Sequence, residues 1–492
     1  MLASPGTHST GWSIGRLSLL TALASAVHGY HLGADDAAIY VPAIKRAADP
    51  SLYPFGDAFF LSHARLSLFP NLIGGSARFT HVPVDTAIFV WHTTGVFLLL
   101  TAAWQFLGLC FQGRRARWCG VALLAAVLGV PVAGTALAVM DPYLTARSLS
   151  TPATLFAVTA WFSGRRWRAF LWLTATAALH PQMAAYGAAL FACDAAMGSA
   201  ARWRWREPAW GMAAVLPFAL DFSPVTGVAR ACLLSRAFFF VSTWTWYEWL
   251  GVFAPLLLLA WWRNAAPRNT LPHFGKISGA LVPFGILSTG VALLFALTPR
   301  LESYARLQPM RSFHLLYVIF FLLLGGLIGE YALHSRPLRW AVLFVPLAAG
   351  MVVVDRATYP ASPHIEWPGA AGRNNWLSAF LWIRTHTPKD AVFALDPVYM
   401  SAHGEDAHGF RAVAERSVLA DAVKDSGAVS LFPSLAAEWS REVAATTGLN
   451  SFTLSDYRAL AARYPVNWIL SDHAPAGLTC PYASDAVTVC HL

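Results

Sequence analysis

The sequence predicts a mainly α-helical, polytopic membrane protein of about eleven transmembrane or re-entrant helices, ending in a soluble α/β domain. Three observations predict it. Of the 492 residues, 56% are hydrophobic and only 12% are charged. Apolar runs such as TAIFVWHTTGVFLLLTAAWQFLGLCF and HLLYVIFFLLLGGLIG are long enough to span hydrocarbon. The last stretch has a different charge balance: from Arg373 onward there are nine Lys or Arg against twelve Asp or Glu, and before it 26 against 14.

The basic excess therefore belongs to the membrane part. Its arginines cluster between apolar runs, as the positive-inside rule requires of cytoplasmic connectors. This accounts for the pI near 9.4 without nucleic acid, for which the sequence holds no signal.

The elements follow in order. A retained first helix is predicted near 13–31, after Arg16; a signal peptide would need a clearer small-residue cleavage site. A long loop at about 31–85 precedes a second span at 85–110. Five basic clusters come next: Arg114 to Arg117, Arg165 to Arg168, Arg202 to Arg206, Arg263 to Lys276, and Arg336 with Arg339. Between them the chain must leave and return. This gives pairs at 118–139 with 151–164, 169–180 with 182–197, 208–221 with 245–262, and 277–297 with 313–333, and a last span at 339–354. The spans at 151–164 and 169–180 would rise only about 18–21 Å, less than a core of roughly 30 Å, so they are tilted or re-entrant. An odd total puts the N-terminus in the cytoplasm and the tail outside.

Residues 1–365 form the membrane domain on this reading and 366–492 an external α/β domain. In the latter NNWLSAFLWIRTHTP and LSDYRALAARYP have helical patterns, and AVFAL, NWILS and AVTVC read as short strands. Cys480 and Cys490 suit a disulfide if that end lies in an oxidising compartment. The other four cysteines lie in or beside spans as small apolar residues.

Sorting polar residues by side leaves one face rich in chemistry. Asp35 and Asp36 head the long loop in HLGADDAAIYVP. A carboxylate at mid-bilayer costs about 2.5–3.5 kcal/mol, so the pair belongs at or beyond the outer interface. It is either a solvated loop start or a functional site. If the backbone there is helical, the two side chains diverge by about 100° and only one serves as the working group. Outward-facing Arg147, Arg230, Arg236, Arg306 and Arg311 are candidates for phosphate, which the planar guanidinium fork matches, or for interface anchoring. Arg147, Arg236 and Arg311 rank highest, with Gln308 beside Arg311 in LQPMRSFH. Asp141 in MDPYLTAR orients a substrate, joins a metal site, or caps the next helix. His180 in LHPQM sits at a turn on the same face, and Asp57 and His63 are weaker candidates in the loop. Tyr40, Tyr53, Trp244, Trp246, Tyr247 and Trp249 fit an interfacial aromatic belt.

A first span running into a large external loop that opens GADDAAIYVPAI, with DPSLYPFGDAFF behind it, a multi-span body and a C-terminal α/β domain together resemble the C-type (GT-C) superfamily of membrane glycosyltransferases. These include protein O-mannosyltransferases, aminoarabinose transferases and oligosaccharyltransferases. The resemblance implies transfer of a sugar from a polyprenyl-phosphate-type carrier to an acceptor hydroxyl at the outer face of a bacterial inner membrane. Asp35 or Asp36 would be the general base, with Asp35 preferred. It implies no obligatory cofactor, though a divalent cation is left open because some members use one. Its partners would be the lipid-linked sugar donor and membrane lipid; the acceptor is unspecified. A lipid-linked-sugar transporter or flippase would need broken helices or ionisable groups at mid-membrane in two repeats, and no repeat is visible. A non-catalytic envelope-assembly protein of the same shape would lack the base.

Overall fold

The computed structural model describes residues 7–198, 224–265, 267–370 and 372–492. The Arg202 to Arg206 cluster and the predicted span at 208–221 lie outside the described residues. The chain opens with α1 (Thr7–His28) and then builds three short helices, α2 (Ala37–Ala48), α3 (Ala58–Ala64) and α4 (Phe69–Thr80), in what the sequence presents as a loop. On α4, Leu68 at the cap, Leu72 and Phe79 are exposed, an apolar edge of the kind that lies in a membrane interface.

The body follows as α5 (Val84–Cys110), α6 (Arg114–Ala126), α7 (Ala146–Phe162), α8 (Arg166–Leu179), α9 (Pro181–Gly198), α10 (Gly227–Leu234), α11 (Trp246–Ala265), α12 (Pro272–Leu297), α13 (Phe313–Ile328) and α14 (Pro337–Thr358). Among the described residues, four segments are long and apolar enough to cross a membrane: Val84–Cys110, Pro272–Leu297, Pro299–Leu333 and Pro337–Thr358. The other described helices of the body are shorter or less apolar, and one of the about eleven expected spans lies outside the described residues.

The predicted span at 118–139 is corrected. Helix α6 stops at Ala126, because LGVPVAG supplies two glycines and a proline with no N–H to continue the ladder. Its thirteen residues rise only about 20 Å. Beyond it 127–145 is irregular, with Ala133 and Ala136 left-handed. Helix α7 begins five residues before its predicted start, capped by Thr145 in a capping box with Ser148. It is buried along most of its length, so it is a core helix rather than a lipid-facing one. Where α13 crosses α6, a Cβ on Gly325 would lie 2.8 Å from the Gly120 Cα, so only glycine allows that approach.

The C-terminal part opens with α15 (Asn375–His386), whose cap Asn374 accepts hydrogen bonds from the amides of Trp376 and Leu377. Strands β1 (Val392–Ala394), β2 (Ser417–Val418), β3 (Trp468–Ser471), β4 (Thr479–Ala483) and β5 (Thr488–His491) form one sheet in the order β2-β1-β3-β5-β4. β2, β1 and β3 are parallel, and β5 and β4 add antiparallel. The predicted strands AVFAL, NWILS and AVTVC are β1, β3 and β5. Helices α16 (Phe410–Ala414), α17 (Asp425–Leu431), α18 (Ala436–Thr446) and α19 (Leu454–Arg463) complete the layer. Cys480 and Cys490 are disulfide-bonded.

Candidate active site

Chain entering from α1 is clamped in strand-like form between two segments of the C-terminal part. The Tyr30 amide donates to the His364 carbonyl at 3.0 Å, and the Glu366 amide returns a bond to the Tyr30 carbonyl at 2.8 Å. On the other edge the Gly409 amide donates to Gly33 O at 2.9 Å and the Asp35 amide to Ala407 O at 2.8 Å. Gly409 is a glycine because α2 lies against it: a Cβ there would stand 2.4 Å from the Ala38 Cβ. The acidic pair is therefore held by backbone bonds before any side chain acts.

Asp35 is left-handed, at φ 48°, which a short polar side chain tolerates. That turn overrides the divergence expected of helical neighbours, because the carboxylates of Asp35 and Asp36 converge on one ammonium, Lys424 Nζ. The Asp36 contact is 3.3 Å and the Asp35 contact is shorter. Tyr143 Oη donates to the other Asp35 oxygen at 3.1 Å. Arg147 Nη2 bridges Asp36 at 3.2 Å and Asp141 at 2.7 Å. Asp141 therefore serves Arg147 rather than capping α7, whose cap is Thr145. Burial opposes ionisation of Asp36, but Lys424, Arg147 and Arg311 outweigh it and hold its carboxyl well below the usual carboxylate range. Asp35 is the more open of the two, with 48% of its side chain exposed against 27% for Asp36.

Arg236 and Arg311 lie within electrostatic range of Asp36 without pairing with it. Arg236 Nη2 donates to Val423 O at 2.6 Å and to Ser426 Oγ, while Arg311 lies over the Phe238 ring. Arg147 Nε, Arg236 Nε and Arg311 Nε are buried and meet no hydrogen-bond partner among the described residues. His180 stands among Arg147, Arg311, His63 and His314, close enough for their charges to interact. Gln308 is left-handed, at φ 51°; its carbonyl accepts from Tyr186 Oη at 2.9 Å and its side-chain oxygen is buried without a partner. The structure thus gathers Asp35, Asp36, Asp141, Arg147, His180, Arg236 and Arg311 around one point, with Gln308 three residues from Arg311.

Arg230 and Asp57 fall away from this centre, whereas His63 stands at its edge, within electrostatic range of Asp36, Arg147 and Arg311. Arg230 forms an exposed two-bond pair with Glu302, and Asp57 faces Arg46 at 3.8 Å. His63 packs edge-on to Tyr40, and burial pushes it down to about 4, so it is neutral at pH 7. Tyr40 and Tyr53 are buried packing residues, not a belt, whereas Trp246 and Tyr247 are exposed as a belt requires. Sequence reasoning missed Lys424, which lies 388 residues from Asp36 with no local signal to mark it. It also passed over Tyr143, although that residue stands inside the quoted MDPYLTAR.

Among the described residues no group of three or more His, Cys, Asp or Glu side chains is arranged to hold a metal. The carboxylates nearest to such an arrangement share Lys424 and Arg147, so ammonium and guanidinium nitrogens stand between them. Space at the centre is small: a cavity of about 10 Å³ is lined by Asp141, Arg147, Ser148, Thr151 and His314, among others. A larger one of about 500 Å³ lies toward the far end of α2, walled by Arg46, Arg65 and Asn71 and not by the acidic pair.

No family model and no curated protein matches the sequence. Among solved structures, the chain is similar to the arabinofuranosyltransferase AftD from Mycobacteria, with a TM-score of 0.50 and 15% identity, over 99% of this chain and 40% of that one. It thus spans about two fifths of that protein. The oligosaccharyltransferase of Archaeoglobus fulgidus, solved with zinc and sulfate, matches with a TM-score of 0.41 and 12% identity, over 93% of this chain and 67% of its own. The likeness to AftD runs over nearly the whole of this chain and is one of fold.

Proposed function

We propose that the protein is a membrane glycosyltransferase that moves a sugar from a polyprenyl-phosphate-type carrier to an acceptor hydroxyl, at the outer face of a bacterial inner membrane. The observation that carries this reading is the meeting of two first-loop carboxylates with Arg147 and Lys424, and with Arg236 and Arg311 in reach. Such a transfer needs a base for the acceptor proton and cations for the departing phosphate, and both kinds of group are present within one centre.

Asp35 takes the acceptor proton. The acceptor oxygen forms its bond to the anomeric carbon as the bond from that carbon to the phosphate oxygen breaks, and the electron pair leaves on the phosphate. Asp36, held ionised by its cations, is a poor proton acceptor and serves to anchor Arg147. Arg147, Arg236 and Arg311 face the phosphate, and Asp141, His180 and Gln308 contact the sugar or its carrier. No metal takes part in the steps assigned to these residues. Residues 1–365 form the membrane domain and 366–492 an outer domain, with the N-terminus cytoplasmic; the Cys480–Cys490 bond supports an oxidising location for the tail.

Purified protein incubated with a panel of polyprenyl-phosphate sugars tests the reading. Release of the free polyprenyl phosphate, dependent on protein and on Asp35, is expected. Protein-dependent movement of the intact lipid-linked sugar across a liposome bilayer, with no turnover of any donor, would overturn it in favour of transport.

A further inference from the structure

Lys424 is presented by one of the most heavily braced turns in the C-terminal part. Asp421 Oδ1 accepts from the amides of Val423 at 2.8 Å, Lys424 at 2.5 Å and Asp425 at 3.3 Å. Arg411 Nη1 holds both oxygens of Asp425 at 2.9 Å, and Arg236 reaches over to Val423 O and Ser426 Oγ. Three buried charged side chains thus fix a turn whose projecting side chain is a single ammonium. Burial works against that ammonium, yet Asp36 and Asp35 hold it charged above its ordinary range.

The consequence for Asp35 is specific. One of its oxygens carries Lys424 and the other carries the Tyr143 hydroxyl, so both are engaged by donors. A base in this state is masked. Among the described residues, the neighbouring Arg147, Arg236 and Arg311 each retain a buried Nε without a partner, and neither Arg236 nor Arg311 pairs with a carboxylate. An anion entering among these guanidinium groups arrives beside Lys424 and competes with Asp35 for it.

Resting on the reading above, we propose that Lys424 is a donor-phosphate ligand delivered by the C-terminal part, and that donor binding draws its ammonium from Asp35 to the phosphate. The base is then unmasked only when the leaving group is in place. Asp35 gains a free oxygen for the acceptor proton, and Lys424 meets the charge that the reaction creates on the phosphate. Because the charge pairing is exchanged rather than broken, the ammonium is never left unpaired.

The test uses full-length protein in detergent and equilibrium titration with farnesyl phosphate, with farnesol as the uncharged control. Lys424→Met is expected to weaken farnesyl phosphate binding by about tenfold or more while farnesol binding stays unchanged, and Lys424→Arg to keep it within about threefold. Asp35→Asn is expected to tighten it severalfold, since Lys424 no longer has to leave a carboxylate. Wild-type affinity in a folded Lys424→Met protein, or unchanged affinity in Asp35→Asn, overturns the exchange alone. The Asp35→Asn arm reads the same exchange should Lys424→Met not fold. Wild-type protein that does not bind farnesyl phosphate overturns the carrier reading and the exchange with it.

Discussion

The two ends of helix α2 both meet the C-terminal part through a lysine between carboxylates, and they differ in how the charges balance. At the far end Lys45 contacts Asp85 at 2.8 Å and Glu415 at 2.9 Å, while Arg384 contacts the same two acids at 2.5 and 3.0 Å. Two cations and two anions close a ring, and Lys45 is fully buried. At the near end Asp35, Asp36 and Asp141 face Lys424 and Arg147, with Arg236 and Arg311 close by and unpaired with any acid among the described residues. Among the described residues, four cations against three anions leave a positive excess. A balanced buried ring has no use for a ligand and serves assembly. An unbalanced one is completed by an anion, and its carboxylates sit where chemistry is wanted.

The contrast is broken or sharpened most strongly at the acids. Asp35→Asn should reduce sugar transfer by about 10²–10⁴-fold, the usual scale for losing a general base, in a protein that still unfolds near the wild-type temperature. Full activity in Asp35→Asn, Asp36→Asn and the double variant would erase the distinction between the two ends. Lys45→Met should do the opposite. Removing one partner from a buried ring costs about 3–5 kcal/mol, read as a lowered thermal midpoint, with turnover per folded molecule unchanged.

Gly409→Ala is the next smaller test, because its Cβ would press on Ala38 and lift the C-terminal part from α2. A loss of about 1–3 kcal/mol is expected, with weaker transfer if the clamp on Asp35 loosens too. A wild-type thermal midpoint in that variant would show the approach to be relaxed at no cost.

The smallest effect concerns pH. Ahead of α2 lies a third junction, where His31 bridges Asp355 and Glu366, His408 bonds Glu366 at 2.9 Å, and His364 bonds Asp355 at 2.6 Å. Glu366 and neighbouring Glu405 raise His408 to about 9 despite its burial, so its contribution is complete below pH 6.5 and is lost as pH rises through 9. Burial lifts Glu405 to about 8, so it penalises the fold increasingly as pH rises from 4.5 through 8. Glu366, against burial, is held by His408 and His31 at about 2 and loses its contribution only as pH falls toward that value. All three signs place the firmest junction between about pH 4.5 and 6.5. The thermal midpoint should fall by a few degrees from pH 6.5 to 9, and less in Glu405→Gln; a flat profile would contradict the assignment.

What the sequence disclosed follows from range. Asp35 and Asp36 are conspicuous because acids are scarce beside an apolar run, and Arg147 and Arg311 because they flank helix starts. Those are local signals. Lys424 carries none: it is one charged residue in a charged tail, and its meaning comes from a contact made across most of the chain. The three strands found are short buried apolar runs, while β2 has only two residues and β4 is a largely exposed strand with a proline inside it. Apolar composition likewise does not separate a helix that crosses lipid from one buried in protein, as the buried α7 shows. LGVPVAG, which ends α6, was a readable break that hydropathy averaged away.

The strand-like segment at 30–36, gripped by 364–366 and 407–409, also fixes an order of events during synthesis. Its acidic pair leaves the ribosome early, whereas the 407–409 segment that clamps it and Lys424 come some 370 to 390 positions later. At about 5–20 residues per second the interval is about 20–80 s. Throughout it the first loop must wait with only Tyr143 and Arg147 to meet its carboxylates. The last quarter of the chain is therefore what turns a inserted helical bundle into a finished centre, and a molecule interrupted before that point carries its acids without the geometry that gives them a purpose.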